Sequence, residues 1–513
     1  MAGEVQYEDA VDMPTMGSTG SPIRILPPEL LAQIFEHCAS VGATCSPVLL
    51  SHVSSFWRRT AITTPSLWHS ISFSIPTATP QITAARVRAW LNRSGLYPLH
   101  ISLLLTEWID DDDVYTPLFN YLRIHIPHWS RLSLTAASIT IARHAFLFFT
   151  SFPHYDMLSR LDVRAGSSFP FDPDDEIQIM PLDEAEDERG GITAVFAALT
   201  NTYAPRFTEL NLAASALPYA SWHSQNRLEF PHLRRLRIFE RGGQSGEITA
   251  LSVLHLLAKC PVLEEFIFRG SDSFFEPQGV FSNVLDLSRL RVLHLAQTCH
   301  QRAILAHLFT PALEVLRLSW LNRTEVLIDE SYIPDPTEAS EEPTEWSQSS
   351  YTDILTGAGI RSLISRSTPP IRILDMDFAD ARSPKDFIWM FERLPTLESF
   401  RIVGSDMSNK VLDALAFTTK RGEWLCPRLT SLDFSRCDVI TGRGVVTLAK
   451  SRNPLKEVMY GESTDDVAAN SLVRPARLKK IVIEACAGVD CESVAVIQHI
   501  MDDIDFEVGI VSP

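Results

Sequence analysis

The chain has 513 residues, 45% of them apolar, and a formal net charge of −18. This apolar share is enough for a large buried core, while the acidic balance argues against broad binding to nucleic acid. No run of 18 apolar residues is present, so the sequence predicts no membrane-spanning helix.

Residues 1–21 are acidic and lack an apolar stretch, which predicts a disordered tail and not a signal peptide. Eight cysteines occur without a C-x-x-C pair or a paired spacing with histidine. Neither a metal site nor a disulfide framework is therefore indicated, and we expect reduced thiols. These features predict a cytoplasmic and/or nuclear protein.

Residues 24–38, RILPPELLAQIFEHC, predict the first helix. Pro27 and Pro28 suit its start, because proline lacks the N–H that has no acceptor in the first turn. The apolar positions at helical spacing are Leu30, Leu31, Ile34, Phe35 and Cys38. Two adjacent leucines widen this stripe beyond what one partner helix would cover, so the helix is expected to bury two faces.

Residues 47–75 predict a partner for this helix. A second amphipathic helix is indicated by Leu49, Leu50, Val53, Phe56, Trp57 and Ala61. A turn over Pro65 to Trp68 and an alternating strand through Ile71, Phe73 and Ile75 follow. A unit of this size is near the lower limit for burying its own core, so left-over apolar surface is expected to meet another chain or domain.

The segments LPPELLAQIFEHC and LLSHVSSFWRRTAITTPSLWHSI resemble the F-box-like domain that is common in mushroom-forming fungi, over residues 22–75. Ser54 and Phe56 depart from the family pattern, and the loop from Ala39 to Pro47 is longer. The resemblance implies docking to a Skp-type adaptor, and through it to a cullin-RING ubiquitin ligase. The implied adaptor-binding residues are Leu26, Pro27, Pro28, Leu30, Leu31, Ile34, Phe35, Val53, Phe56 and Trp57. The alternative is that these residues form the plain core of a small helical cap.

A pattern of the form L-x-x-L-x-L recurs beyond residue 128, with typical separations of 23 to 32 residues. Its twelve copies begin at Trp129, Leu158, Phe207, Leu233, Leu263, Leu290, Leu313, Ile371, Leu397, Leu429, Leu455 and Leu478. This period is typical of leucine-rich repeats, each with one short parallel strand and one helix. The two longest gaps hold acidic insertions near 172–190 and 329–350, which are predicted to be solvated loops.

These patterns predict an α/β chain in which a small helical F-box-like domain precedes an irregular leucine-rich-repeat solenoid, with parallel strands concave and helices convex. We expect the solenoid over 129–490, a linker or N-terminal cap over 76–128, and a C-terminal cap over 491–513. One copy, LTSLDFSRCDVITGRGVVTLAK, resembles the cysteine-containing repeat of F-box proteins. Cys437 and Cys486 stand where that repeat buries a small polar side chain, so a structural role is expected.

The variable strand positions of the repeats predict a basic stripe on the concave surface. Its candidate substrate-binding residues are Arg235, Arg237, Phe239, Arg269, His294, Arg317 and Trp320. The stripe would recruit an acidic or phosphorylated protein segment. The alternative is that the arginines are neutralised by Asp162, Glu209, Glu265 or an acidic loop.

No complete nucleotide-binding, zinc-protease or serine-hydrolase motif is present. We therefore expect no enzymatic activity, no catalytic residues and no cofactor. One interpretation is a substrate-recognition subunit of a Skp-cullin-F-box ubiquitin ligase, with the adaptor and a protein substrate as partners and neither nucleic acid nor membrane. The other is a non-catalytic repeat scaffold that binds proteins without being attached to a ligase.

Overall fold

Thirteen parallel strands form one sheet in this computed structural model, and they follow one another across the sheet in chain order. They are β1 Ser70–Ile75, β2 Leu99–Leu105, β3 Trp129–Ala136, β4 Arg160–Ala165, β5 Glu209–Ala213, β6 Arg235–Phe239, β7 Glu265–Arg269, β9 Val292–Ala296, β11 Val315–Ser319, β12 Ile373–Asp377, β13 Ser399–Val403, β14 Ser431–Ser435 and β15 Lys480–Glu484. Two short strands, β8 Leu285–Asp286 and β10 Leu308–Phe309, pair with each other outside this sheet.

The structure describes residues 26–501 except 42–45, 76–79, 107–111, 138–140, 143–144, 146–153, 166–203, 214–228, 240–249, 271–282, 297–300, 320–355, 378–383, 406, 421 and 454–474. The predicted tail 1–21, the two acidic insertions and Trp320 lie outside these residues, as does the end of the predicted C-terminal cap. The described helices are α1 Pro28–Val41, α2 Pro47–Val53, α3 Ser55–Ile62, α4 Pro80–Ser94, α5 Asp112–Ile124, α6 Ala250–Ala258, α7 Gln301–Ala306, α8 Thr356–Ser367, α9 Pro384–Glu392, α10 Asn409–Ala416, α11 Gly442–Arg452 and α12 Cys491–Ile500.

The predicted second helix is two helices, because Ser54 interrupts it. Ser54 has extended backbone angles between α2 and α3, and its hydroxyl accepts a hydrogen bond from the Trp57 N–H at 3.1 Å. A serine that caps the next helix in this way competes with continuing the previous one. The expected turn follows as a short 3-10 helix over Pro65–Trp68, and the expected strand as β1.

The core contains continuous columns of apolar side chains, one side chain from each strand. One column is Leu236, Phe266, Leu293, Leu316, Leu374, Phe400, Leu432 and Ile481, whose members are paired in register and are at most 1% exposed. Burying one such side chain contributes about 1.5–3 kcal/mol. Because side chains alternate along a strand, the positions between the buried ones form the open face of the sheet.

The sheet begins at Ser70, well before the repeat pattern does. Strand β1 pairs with β2, and β2 pairs with β3, all in parallel. The stretch 76–128, expected as a linker or cap, therefore carries a strand of the sheet together with α4 and α5. The six-residue pattern missed β1 and β2 because their apolar residues alternate without the leading L-x-x-L.

The predicted copy at Leu455 lies outside the described residues. Strand β14 pairs directly with β15, from Ser431 with Lys480 to Ser435 with Glu484. This pairing leaves no place for another strand between them.

Cys437 and Cys486 lie at equivalent turns after β14 and β15, each behind a residue with positive φ. The residue before Cys437 is Arg436, with φ of 53°, and the residue before Cys486 is Ala485, with φ of 51°. The Cys437 thiol donates to the Ile402 carbonyl at 3.7 Å, and the Cys486 thiol to the Phe434 carbonyl at 3.3 Å. The predicted polar contact between these cysteines and turn backbone is present.

Candidate functional site

Helix α1 presents two apolar side chains to solvent and buries two others. Leu30 is 47% exposed and Ile34 is 44% exposed, whereas Leu31 and Phe35 are fully buried. Leu31 and Phe35 were both expected to contact an adaptor. Because they have no accessible surface, the structure assigns them to the core of the helical unit, and the candidate docking surface on α1 is reduced to Leu30 and Ile34.

Helix α2 carries a second exposed apolar stripe, Leu49 and Val53, spaced one helical turn apart. Leu49 is 59% exposed and Val53 is 61% exposed. Only Val53 was among the predicted adaptor-binding residues. The missed signal for Leu49 is its i, i+4 relation to Val53 in the sequence, which places both on one side of a helix.

The other predicted adaptor-binding residues keep at least part of their surface exposed to solvent. Leu26, Phe56 and Trp57 are half-buried, and Pro27 and Pro28 are exposed. Trp57 packs on the buried Phe35, with ring centroids 4.8 Å apart. Phe56 and Trp57 therefore help to hold α3 against α1 and leave only part of their surface for a partner.

A groove of about 470 Å³ adjoins the exposed stripe of α2. It is lined by Ser46, Val48, Leu49, Arg86, Ala89, Trp90 and Arg93. The Arg86 guanidinium lies 5.4 Å from the Trp90 ring centroid, and that of Arg93 lies 4.3 Å from the Trp68 ring centroid. The apolar surface of α2 thus continues onto α4, the first helix after β1.

Arg235 and Arg237, on β6 at the start of the predicted basic stripe, are bound to carboxylates. Arg235 lies 2.8 Å from Glu209, and Arg237 lies 2.6 Å from Glu265. The alternative weighed from the sequence, neutralisation by neighbouring strands, is correct for these two arginines. It follows from register, because Glu209 and Glu265 are the strand partners of Arg235 on either side.

The rest of the predicted stripe does not form one basic patch. Arg269 and Arg317 are exposed, and Phe239 is 40% exposed. His294 is half-buried, and its pKa is lowered from the usual value by burial first and then by the positive charge of Arg317. His294 therefore adds no positive charge at neutral pH.

Arg317 has no ion-pair partner within the described part of the chain. It faces Asp375 across β11 and β12, but Asp375 accepts a hydrogen bond from Arg401 at 2.8 Å instead. Arg401 also lies 3.3 Å from Asp433 on its other side. Among the described residues, Arg317 thus lies without an ion pair between β6, where Arg235 and Arg237 are paired with carboxylates, and β13, where Arg401 is paired with Asp375 and Asp433.

The first strands of the sheet carry a cationic and hydroxyl-rich open face that the sequence prediction did not include. Its members are His100, Ser102, Arg131, Ser133, Thr135 and Arg164, here called the β2–β4 patch. Arg131 and Arg164 are exposed. The signal that could have found them is the alternation in WSRLSLTA and RLDVRA, once β2 is recognised as a strand of the same sheet.

Three buried thiols, those of Cys260, Cys426 and Cys437, have the properties of structural groups. Burial raises the pKa of Cys260, and it raises that of Cys426 to about 12. A contact with Cys486 and burial also raise the pKa of Cys437. Protonated thiols are poor nucleophiles and poor metal ligands. Within the described ranges, no cluster of three metal-binding side chains occurs, and no helix is long and apolar enough to cross a membrane.

Comparisons with known proteins leave the family open. No protein-family model matches the chain, and no curated protein matches it. Among solved structures, the chain is similar to one in the crystal structure of the Rad7 and Elc1 complex in yeast, at 12% identity and a TM-score of 0.36. The match covers 81% of this chain and 89% of that one. What the strand order shows for this chain is a solenoid-like α/β fold.

Proposed function

We propose that this protein is a substrate-recognition subunit of a cullin-RING ubiquitin ligase of the Skp-cullin-F-box type. In this proposal the N-terminal helices dock a Skp-type adaptor, and the open face of a leucine-rich-repeat array binds a protein substrate. The chain holds partners together and carries out no reaction itself. Its place of action would be the cytoplasm, the nucleus or both.

The observation that carries the proposal is the pair of exposed apolar stripes, Leu30 with Ile34 and Leu49 with Val53. Each of these side chains is at least 44% exposed. They belong to the segments whose motif order resembles an F-box-like domain. Residues needed only for the core would be buried, as Leu31 and Phe35 are. Large apolar side chains left exposed on two neighbouring helices support a partner surface.

The test is co-purification of the full chain with a purified Skp-type adaptor and cullin. Buried apolar anchors at an interface typically cost about 2 kcal/mol or more when they are removed. We expect the double variant Leu30→Asp/Ile34→Asp to lose the adaptor while its circular dichroism spectrum and melting temperature stay unchanged.

The matched control is Leu96→Asp, because Leu96 is 79% exposed and lies between α4 and β2, outside the F-box-like segments. This variant should retain the adaptor. If the wild-type chain binds no Skp-type adaptor, or if the double variant binds as well as the wild type, the docking function is refuted. The repeat scaffold without a ligase would then be the better interpretation.

A further inference from the structure

Ser46 stands directly before Pro47 at the start of α2, in backbone that a protein kinase can accept. Its φ of −67° and ψ of 138° are extended, which is the conformation that a following proline favours. The residue is partly exposed to solvent. An accessible serine in extended backbone before a proline has the local chemistry that proline-directed serine kinases act on.

Two other hydroxyl residues that precede a proline lack these properties. Thr310 is fully buried, and the Thr64 hydroxyl donates a hydrogen bond to the Thr60 carbonyl at 2.7 Å. The Ser46 hydroxyl instead accepts a hydrogen bond from the Val48 N–H at 3.3 Å. None of the described residues accepts a hydrogen bond from it, so its proton is available to a base on a kinase.

Ser46 lies on the same groove as two arginines of α4. The groove between α2 and α4 has a volume of about 470 Å³, and no acidic residue is among those that line it. Arg86 and Arg93 line it from the other side. They are two helical turns apart, so both side chains project from one face of α4. A phosphate group on Ser46 would therefore share a groove with two guanidinium groups.

Neither arginine is neutralised by a carboxylate in the described part of the chain. The Arg86 guanidinium lies over the Trp90 ring, and that of Arg93 lies over the Trp68 ring. A cation on an aromatic face still has N–H groups at its edge for an acceptor. An incoming phosphate would displace no described ion pair at either arginine.

We propose that Ser46 is a phosphorylation site and that Arg86 and Arg93 hold the phosphate, which joins α2 to α4. A kinase would transfer the γ-phosphoryl group of ATP to the Ser46 Oγ. The new O–P bond forms as the bond from the γ-phosphorus to the oxygen of the β-phosphate breaks, ADP leaves, and the hydroxyl proton passes to a basic group of the kinase. The phosphate brings three acceptor oxygens and about −1.5 to −2 charges at pH 7, which favours charge-assisted hydrogen bonds to guanidinium.

The modification would change the surface beside the exposed stripe of α2. Leu49 lines the same groove, so the phosphate would place negative charge next to an apolar side chain and would fix α2 against α4. This inference goes beyond the proposed function and does not depend on it, because the site and its two arginines are present whether or not an adaptor binds.

The test begins with a proline-directed serine kinase that phosphorylates a free peptide of residues 40–52, in which Ser46 alone precedes a proline. The purified full chain is treated with this kinase and ATP, and the modified residues are mapped by mass spectrometry. We expect phosphate on Ser46 of the folded chain, and none in this segment of Ser46→Ala. Failure of the folded chain to be modified at Ser46 by a kinase that modifies the peptide would overturn the site.

Phosphorus NMR then tests the role of the arginines. The signal of phosphorylated Ser46 is the one that is absent from Ser46→Ala. The second pKa of a phosphoserine is about 6, and adjacent positive charges lower it because they favour the doubly charged form. We expect a pKa below about 5.5 in the full chain, and the value of the free peptide in Arg86→Gln/Arg93→Gln. Each single substitution should give part of this change.

The matched control is Arg59→Gln/Arg88→Gln, which also removes two positive charges. Arg88 is on α4 and lies 5.4 Å from the Tyr121 ring centroid, but neither Arg59 nor Arg88 lines the groove. The control should keep the lowered pKa at physiological salt, because distant exposed charges are screened. A wild-type pKa equal to that of the peptide, or the same rise in both double variants, would overturn the assignment of the arginines.

Hydrogen exchange measures whether the phosphate joins the two helices. Exchange over residues 47–53 should slow on phosphorylation of the wild type, since opening α2 would then break contacts to α4. It should not slow in Arg86→Gln/Arg93→Gln. Equal exchange of the phosphorylated and unphosphorylated wild type would show that the phosphate does not hold α2 on α4.

Discussion

Leu30 and Leu31 are consecutive residues of α1 with opposite environments: Leu30 is 47% exposed and Leu31 is fully buried. Their backbone hydrogen bonds run to the same acceptor, the Pro27 carbonyl. One helix turn therefore supplies both a core residue and a surface residue. The two substitutions to alanine should separate folding from docking.

We expect Leu31→Ala to lower the free energy of unfolding by about 2–5 kcal/mol, because it leaves a cavity in the core. Leu30→Ala should change it by no more than about 0.5 kcal/mol. Denaturant unfolding followed by circular dichroism measures both. A larger loss for Leu30→Ala than for Leu31→Ala would contradict the assignment of the two faces of α1.

The pH dependence of stability should contain a contribution from His100. Its pKa is lowered to about 4, by burial first and then by the nearby His69 and Arg131. Because the unfolded chain takes up this proton near pH 6.5 and the folded chain does not, the contribution is complete above pH 6.5 and is lost as the pH falls towards 4. We expect the melting temperature of His100→Gln to change less with pH, between about pH 4 and pH 6.5, than that of the wild type.

The control for this prediction is His232→Gln, at an exposed position before β6. It should keep the wild-type pH dependence. Thermal melts at half-unit steps between pH 4 and pH 7 measure the difference. If His100→Gln follows the wild type throughout, the neutral, half-buried state of this imidazole is not present in the folded chain.

Arg452 should be among the residues most costly to replace in the C-terminal half. Its side chain is 1% exposed, and its guanidinium donates to the carbonyls of Leu415, Leu425 and Cys426 at 2.6–3.1 Å. Burial lowers its pKa to about 10. Arg452→Met removes the side-chain donors of the Leu415 and Leu425 carbonyls, at about 1–3 kcal/mol for each unsatisfied group, whereas the Cys426 carbonyl keeps the Leu429 N–H at 3.1 Å. We expect a loss of at least about 2 kcal/mol in the free energy of unfolding.

Hydrogen exchange gives this prediction a local measurement. The guanidinium joins the end of α10 to the short bridge between Thr418 and Trp424. Exchange over residues 417–426 should therefore accelerate in Arg452→Met before the sheet is affected. Arg443→Met, an exposed substitution on the same helix, should change stability by no more than about 0.5 kcal/mol. Equal effects of the two substitutions would contradict the role of Arg452.

Deleting residues 332–348 should barely change the melting temperature. This run is polar, with five acidic residues and three prolines, so its burial would not repay the entropy of ordering it. It belongs to the connection between β11 and β12, which pair directly with each other from Val315 with Ile373 to Leu318 with Met376. We expect a change within about 2 °C, since shortening a long loop costs little. A large fall in the melting temperature would show that the run packs on the fold.

The repeat period predicted the sheet from β3 onward because each strand buries its apolar residues at fixed offsets, a local property of the sequence. It could not predict that Arg235 meets Glu209 and Glu265, since such pairs depend on which strands are neighbours across connections of different length. The same limit applies to Leu30 and Leu31. Helical spacing places both leucines on the apolar stripe of α1, but only the packing of the folded chain decides which of them is covered.

The sheet also sets distances between partners. Neighbouring strands lie about 4.8 Å apart, so a ligand on the β2–β4 patch would be held within about 15 Å of β1, the strand that follows the helices with the exposed apolar stripes. A ligand at β14 would be more than about 40 Å along the same array. A protein bound at the patch would therefore stay close to a partner bound at those helices. Placing residues equivalent to Arg131 and Arg164 on later strands would increase the distance between the two partners in steps of one repeat.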